Sequence, residues 1–451
     1  MTRQLRWFPS VRLWLGVGLL LGLGAGAARA DLAEFVKKPE PKFEWKLKDK
    51  KDVLDGTMYD LQMTSQVWHD ITWTHQLQVY KPQEVDPNAT MLLFVTGGNS
   101  SPATLLYGMF LAQKVKAPVA ILYNIPNQPL LGDKKEDALI AETFVRCLEE
   151  KDETWPLLFP MVKSVVKAMD ALEAFSKDEW KKPVKGFLVT GASKRGWTTW
   201  LTAAVDPRVV AIAPMVIDTL NMQAQTAYQK ESFGAYSEQI RDYTERKLVP
   251  LPKTAEAKHL WEMVDPFTYR DKLAMPKLII NGNNDPYWTT DALNLYWNEM
   301  KGDKFIVYVP NAGHDLKQSG LSMLEERSRA VNGLTAFTRH QMTGKPLPKL
   351  SWKNDDEGDT LRLVVTADPA PKGARVWSAT APTRDFRKAK WTDQEVKLTK
   401  DKVTGEVPAP KEGCLAFYVE LDYEIDGISY HLCSQLRLVG TPKEAKDEKK
   451  E

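Results

Sequence analysis

A serine, an acid and a histidine stand in this chain in the order that acyl transfer uses, each at the end of a strand-like run. The segment Phe187-Leu188-Val189-Thr190-Gly191-Ala192-Ser193-Lys194-Arg195-Gly196-Trp197 reads as a buried strand that turns sharply at Ser193 and continues at once as a helix. A serine at such an elbow has its hydroxyl pushed outward at a helix N-terminus. The peptide N–H of Lys194 would then point at the oxygen of an attacked carbonyl, as one oxyanion donor. The usual elbow is G-x-S-x-G. Here Arg195 holds the position of the small residue, and the glycine comes one later, at Gly196.

A serine needs a base, and the six histidines are His69, His75, His259, His314, His340 and His431. In the order Ser, acid, His the base follows a late strand. His314 fits, because Phe305 to Val309 is strand-like and Pro310-Asn311-Ala312-Gly313-His314 is the loop after it. The acid belongs one strand earlier, where it orients the imidazole. Lys277 to Asn281 is that strand, and its loop Gly282-Asn283-Asn284-Asp285-Pro286 nominates Asp285. Asp291, near a helix start, and Asp218, at the end of the preceding strand, are its rivals. A second oxyanion donor is expected from Gly97-Gly98-Asn99, directly after the apolar run Met91 to Thr96, since glycine lets a backbone N–H approach a substrate closely. Lys194 and Arg195 put two positive charges beside Ser193. They either attract an anionic substrate group, which makes Arg195 a weak substrate contact, or pair with nearby carboxylates, and pairing is the preferred reading.

These turns need a scaffold. Continuous apolar runs at Met91 to Thr96, Pro118 to Tyr123, Gly186 to Thr190, Val209 to Ile217, Lys277 to Asn281 and Phe305 to Val309 read as buried strands. Helical spacing at Glu136 to Glu150, Phe159 to Phe175, Trp197 to Val205 and Leu293 to Met300 separates them. The alternation predicts an α/β fold, a doubly wound, mostly parallel sheet with helices on both faces. Two further strand-like runs lie between Tyr59 and Tyr80. After Pro346 the texture changes to short alternating runs, such as Leu361 to Thr366 and Leu415 to Leu421, which predict a small β-sandwich-like module. The expected organisation is a signal at 1–30, a lead-in at 31–56, the α/β domain at 57–346, the β module at 350–440 and a charged disordered tail at 441–451.

Composition narrows the function classes. With 61 Lys plus Arg against 59 Asp plus Glu, the chain has no basic excess for nucleic-acid binding. Arg3, Arg6 and Arg12 precede the apolar run Leu13 to Ala25, and Ala28-Arg29-Ala30 closes the segment as a cleavage signal. Removing it takes four arginines and no acid, leaving 57 against 59, a net of −2. The expectation is a cleaved export signal, a mature start near Asp31, a periplasmic or secreted location and no stable membrane anchor. The turn Asp426-Gly427 sets a hairpin in which Ile425 faces Ile428 and Cys433 faces Glu420. A Cys414–Cys433 bridge is therefore disfavoured, and Cys147 has no third partner. No ligand spacing supports a metal site, and no cofactor is expected.

Six segments carry a family resemblance: Thr64-Ser65-Gln66-x-Trp68, Pro126 to Leu130, Glu136 to Ile140, Gly191 to Trp200, Ile217-Asp218-x-Leu220-Asn221 and Ile280-Asn281-Gly282-x-Asn284-Asp285. Together they resemble the PhoPQ-activated pathogenicity-related proteins of the PqaA type. The resemblance implies an exported α/β-hydrolase-like domain followed by a β-rich domain, and it implies little about substrate. The elbow is also similar to the G-C-S-R-x-G-K pattern of glucuronoyl esterases, with Ala192, Lys194 and Trp197 replacing its cysteine, arginine and lysine. The expected activity is a serine hydrolase acting on an ester or amide of a small-molecule or peptide substrate. A dipeptidyl-peptidase-like enzyme and a non-catalytic binding protein are the alternatives, and the β module would offer a surface to carbohydrate or protein.

Overall fold

The computed structural model describes residues 31–85, 90–322, 325–400 and 402–443. The strands are β1 (Glu44–Asp52), β2 (Gly56–Trp68), β3 (Ile71–Pro82), β4 (Thr90–Val95), β5 (Val119–Leu122), β6 (Gly186–Ala192), β7 (Val209–Met215), β8 (Lys277–Gly282) and β9 (Lys304–Val309). They form one sheet in the order β1-β2-β3-β5-β4-β6-β7-β8-β9. From β5 to β9 all neighbours are parallel. The β1, β2 and β3 strands add to it antiparallel. This is the doubly wound, mostly parallel α/β sheet that the alternating pattern predicts. Its central strands are apolar on both faces and so need cover on both.

That cover comes from helices α1 (Leu32–Lys37), α2 (Pro102–Val115), α3 (Glu136–Glu150), α4 (Leu158–Trp180), α5 (Lys194–Val205), α6 (Met222–Phe233), α7 (Arg241–Glu245), α8 (Ala255–Val264) and α9 (Ser328–Thr343). One face packs Trp73, Phe159, Phe175, Phe187 and Trp200 into a continuous core. The other packs Tyr80, Met109, Leu111, Leu334 and Phe337. Each fully buried side chain of this size contributes about 1.5–3 kcal/mol. The N-terminus of α2 is fixed locally: Ser101 Oγ accepts from Thr104 N at 3.2 Å, and Pro102 supplies the first helical position.

Two segments differ from the sequence reading. Residues 31–56, read as a lead-in, carry α1 and the edge strand β1, which pairs with β2 from Glu44 opposite Thr64 to Asp52 opposite Thr57. Almost all of β1 is exposed, so no apolar alternation marks it, and its lysines discourage pairing with another sheet. Leu293 to Met300, expected as a helix, forms two 3₁₀ turns, Ala292–Leu295 and Trp297–Glu299. The carbonyls that would continue a helix are captured from outside it. Ala292 O accepts from Gln225 Nε2 at 3.0 Å, Leu295 O from Asn221 Nδ2 at 3.1 Å and Met300 O from Lys304 Nζ at 2.9 Å. Residues 1–30, expected as an export signal, and all but the first three residues of the tail expected at 441–451 lie outside the described residues. No helix among the described residues is long and apolar enough to cross a membrane.

The C-terminal residues form two antiparallel sheets. Gly405 sits where they face each other, and a Cβ there would fall 2.6 Å from Val419 Cγ2. In the hairpin, Ile425 pairs with Ile428 and Glu420 with Cys433, and all three cysteines are free and buried. Structure adds a cluster that spacing hides, Glu420, Asp422 and His431, whose ligand atoms lie within 4.8 Å of one another. Arginines neutralise these carboxylates: Arg329 Nη1 meets Glu420 at 2.5 Å, and Arg375 Nη2 meets Asp422 at 2.9 Å. Arg329 belongs to α9, so the fully buried Glu420 ties the two domains together. Removing Arg329 takes from the buried Glu420 its closest cation, leaving it Arg375 Nε at 3.4 Å and the Trp377 N–H at 3.2 Å. Arg329→Met is expected to cost about 3 kcal/mol, read as a lower urea midpoint, and an unchanged midpoint would contradict it.

Candidate active site

The elbow is built by close backbone approach. Ser193 stands between β6 and α5 at φ 57° and ψ −126°, a left-handed conformation costly for a residue with a Cβ. It is held on both sides, by Ser193 N to Met215 O at 2.9 Å and Trp197 N to Ser193 O at 3.0 Å. A Cβ on Gly191 would lie 2.8 Å from the Arg195 carbonyl oxygen, and one on Gly196 would lie 2.5 Å from Ile217 Cγ2. The Arg195 main chain thus packs on Gly191, and it is residue 196 whose side-chain position faces Ile217 and the strand ends. The Arg195 side chain runs past Gly191 toward Gly97 and Glu136, which explains how an arginine fits an elbow that usually holds a small residue there.

Asp285 and His314 occupy the loops after β8 and β9. His314 Nδ1 lies 2.7 Å from Asp285 Oδ2, and Asp285 Oδ1 accepts from Tyr287 N at 2.8 Å. A bond to a carboxylate requires the proton on Nδ1, which leaves Nε2 of the neutral ring as the lone-pair nitrogen. Nε2 is buried and has no hydrogen-bond partner among the described residues. The Tyr287 ring lies over the imidazole, centroids 4.2 Å apart at 32°. Ser193 and His314 line one narrow cavity of about 40 Å³, walled by Trp197, Ile217, Tyr243, Val249 and Trp261. Much of this wall comes from the excursion between β7 and β8.

The rival acids are engaged elsewhere. Asp291 accepts from Tyr228 Oη at 2.7 Å. Asp218 accepts from Asn281 Nδ2 at 2.8 Å and also from the Tyr296 hydroxyl. Burial pushes Asp218 up to about 7, against these two bonds and with the charges of Asp285 and Asp291 adding. Other histidines are held apart from this cavity: His75 bonds Ser65 Oγ at 3.0 Å, with burial lowering its pKa to about 4, and His431 bonds Asp422 at 2.8 Å.

Lys194 and Arg195 begin a helix, the end at which positive charge is disfavoured, and both are buried. Two acids from the first turn of α3 offset them. Lys194 Nζ meets Asp137 Oδ2 at 2.8 Å and Glu136 Oε2 at 3.5 Å. Arg195 donates to both oxygens of Glu136 at 2.7 Å, and its Nε donates to Ile125 O at 2.5 Å. Burial works against ionising Glu136, but the Arg195 bonds, Gln128 and Lys194 hold its pKa down to about 2. The pairing reading of the two cations therefore describes their contacts. Asp137 also accepts from Tyr243 Oη at 3.0 Å and Tyr287 Oη at 3.4 Å, which links the elbow to the residue whose ring lies over His314. The sequence reading gave Glu136, Asp137, Tyr243 and Tyr287 no part in the site. The signal available was charge balance, since two cations at a buried helix start need two carboxylates.

The glycine loop lies against Arg195: a Cβ on Gly97 would fall 1.7 Å from its Nη2. Asn124 N donates to Gly98 O at 3.0 Å and Ile125 N to Thr96 O at 3.0 Å, fixing the loop. Gly97, Gly98, Glu136, Ser193 and Arg195 line an open cleft of about 390 Å³. Asn99 is exposed and is not among those walls.

A sequence profile of the PhoPQ-activated pathogenicity-related proteins matches residues 32–387. The chain is 29% identical over 444 residues to autocrine proliferation repressor protein A of Dictyostelium discoideum, covering 90% of this chain and 88% of that one. Among solved structures, acetyl xylan esterase from Paenibacillus sp. R4 is similar at 12% identity and a TM-score of 0.48, covering 68% of this chain and 91% of its own. Acetyl xylan esterase 1 from Thermoanaerobacterium sp. JW/SL YS485 is similar at 16% identity and a TM-score of 0.44, covering 64% and 87%.

The geometry has two measurable consequences. Gly196→Ala drives a Cβ into Ile217 and toward two backbone oxygens, at 3.0 and 3.2 Å; it is expected to cost about 1–3 kcal/mol in thermal unfolding, and a neutral effect would contradict that packing. The folded Asp218 carboxyl keeps its proton to about pH 7, whereas the unfolded one loses it near 3.8. The stability this group contributes is full below the unfolded value and lost as pH rises through 7. Asp218→Asn should remove that loss, so the variant gains on the wild type as pH rises from about 4 to 7. Melting curves that stay parallel over this range would exclude the effect.

Proposed function

Since the chain belongs to the PhoPQ-activated pathogenicity-related protein family, with an α/β-hydrolase-like fold, we propose that it is an exported serine hydrolase that cleaves esters. The observation that carries this is the 2.7 Å His314–Asp285 bond, with the unpartnered Nε2 of His314 beside the cavity that Ser193 also lines. In the proposed mechanism Ser193 Oγ attacks the carbonyl carbon while His314 Nε2 takes its proton. Asp285 keeps the ring in the productive tautomer and stabilises the imidazolium. The Lys194 N–H and an N–H from the Gly97-Gly98-Asn99 loop hold the oxyanion. The C–O bond then breaks as His314 protonates the departing alcohol, and water releases the acyl group by the same steps in reverse roles. All of these groups belong to the chain, and no cofactor enters the scheme.

An ester is favoured over the dipeptidyl-peptidase-like alternative on charge grounds. An exopeptidase that reads a free N-terminus needs carboxylates available to an ammonium group. The acids that line the two cavities at Ser193, Glu136 and Asp137, already hold Arg195 and Lys194. The apolar walls of the cavity favour an apolar substrate group beside Ser193. The export signal supports a periplasmic or secreted site of action, and the substrate class is a small molecule.

Fluorophosphonate labelling of the purified protein, with turnover of short-chain 4-nitrophenyl esters, tests the reading. Labelling is expected in the wild type and absent in Ser193→Ala. Asp285→Asn should lower kcat by about 10⁴-fold, through the wrong imidazole tautomer. A folded wild type that neither labels nor turns over would instead indicate a binding protein on a hydrolase scaffold.

A further inference from the structure

The loops that carry Asp285 and His314 are bonded to each other and to the other domain. Asn283 N donates to Val309 O at 3.1 Å and Asn284 N to Ala312 O at 3.0 Å, joining the two loops. Their approach is tight, since a Cβ on Gly282 would fall 2.4 Å from Gly313 O. Residues 383–391, between two strands of the C-terminal module, lie across this pair. Asn284 Nδ2 donates to Phe386 O at 2.9 Å and Ala389 O at 2.8 Å. Asn311 Nδ2 donates to Trp391 O at 2.9 Å, and its Oδ1 accepts from Trp391 N at 2.8 Å. Asn284 is the residue before Asp285, and Asn311 stands three before His314 at φ 57°.

The strap is anchored on its own side. Phe386 and Trp391 are each 1% exposed. The Trp391 ring lies 5.7 Å from that of Tyr418, in the long strand of the module, and the Tyr418 ring lies tilted at 54° against Tyr308 of β9, centroids 4.9 Å apart. Tyr418 Oη also reaches Asn283 Oδ1 at 3.4 Å. The two asparagines therefore bond main-chain groups of the strap much as a neighbouring strand would.

We propose that residues 383–391 act as a positioning strap for the acid–base pair, with Asn284 and Asn311 as positioning residues, and that the C-terminal module is a working part of the hydrolase. This rests on the reading of Asp285 and His314 as acid and base. Misplacement by about 1 Å can cost as much as 10²-fold in rate, so the strap acts on chemistry more than on affinity.

The test compares the full-length wild type with Asn284→Ala, Asn311→Ala and Asn311→Asp, which keeps the acceptor for Trp391 N. Glu424→Ala, at an exposed ion pair of the module, serves as control. Steady-state turnover of a short ester, the rate of fluorophosphonate labelling and the melting temperature are measured for each. Each alanine variant should lower kcat by about 10-fold, with KM within about 3-fold, and slow labelling by the same factor. Asn311→Asp should fall between Asn311→Ala and the wild type, and the control should match the wild type. Variants that melt earlier but keep kcat and labelling rate would make the strap a domain adhesive and overturn the proposal alone. A folded but inert wild type would overturn the hydrolase reading and this proposal with it.

Discussion

The backbone of Ser193 is the constraint from which the rest of the site follows. A non-glycine residue at φ 57° and ψ −126° costs about 1–3 kcal/mol and persists only where its surroundings leave no alternative. Here Met215 O takes its N–H, Trp197 N takes its carbonyl, and glycines at 191 and 196 let strand and helix come close enough for both bonds. The return is a hydroxyl at the mouth of a helix N-terminus, above the carboxyl ends of the parallel strands, where loops from β8 and β9 can reach it.

The elbow brings a second constraint. Its helix starts with two cations at the end where the backbone dipole repels them, and both are buried. Glu136 and Asp137 meet them from the start of α3, where the dipole favours acids. The two helix N-termini are thereby joined through charge. Arg195 spans from the elbow to Ile125 and lies against Gly97, so the glycine loop is seated by a residue that the common elbow pattern does not contain. Asp137 extends the network through Tyr287 to the imidazole.

Much of this was legible in the sequence because the signals are local. A buried strand ending in glycine, a loop, and helical spacing give β6, β8 and β9 with their turns, and the order of those turns nominates Ser193, Asp285 and His314. The hairpin register at Asp426-Gly427 was legible too, because a two-residue turn fixes every pair beyond it. What was not legible depends on contacts between distant residues. The edge strand β1 has no alternation to read, since almost all of it is exposed and it is held mainly by main-chain bonds, with Trp45 against Phe175 and Lys50 to Glu179 as its side-chain anchors. Leu293 to Met300 has helical spacing, yet Gln225, Asn221 and Lys304 take the carbonyls a helix would use.

By itself the sequence determined the scaffold, the elbow and the order of the three candidate residues, because strand length, glycine placement and apolar runs are properties of a few neighbouring residues. Only the tertiary structure decided which acid meets the histidine, Asp285 at 2.7 Å while Asp218 and Asp291 are engaged elsewhere. It also decided the destination of the two cations and the seating of residues 383–391 on the loops of Asp285 and His314. These are pairings across 29 to 105 residues of chain, as with His314 and Asp285 or Asn284 and Ala389. A hydrogen bond or ion pair at that separation leaves no periodicity in the sequence. It exists only once the burial of both sheet faces has brought its partners together.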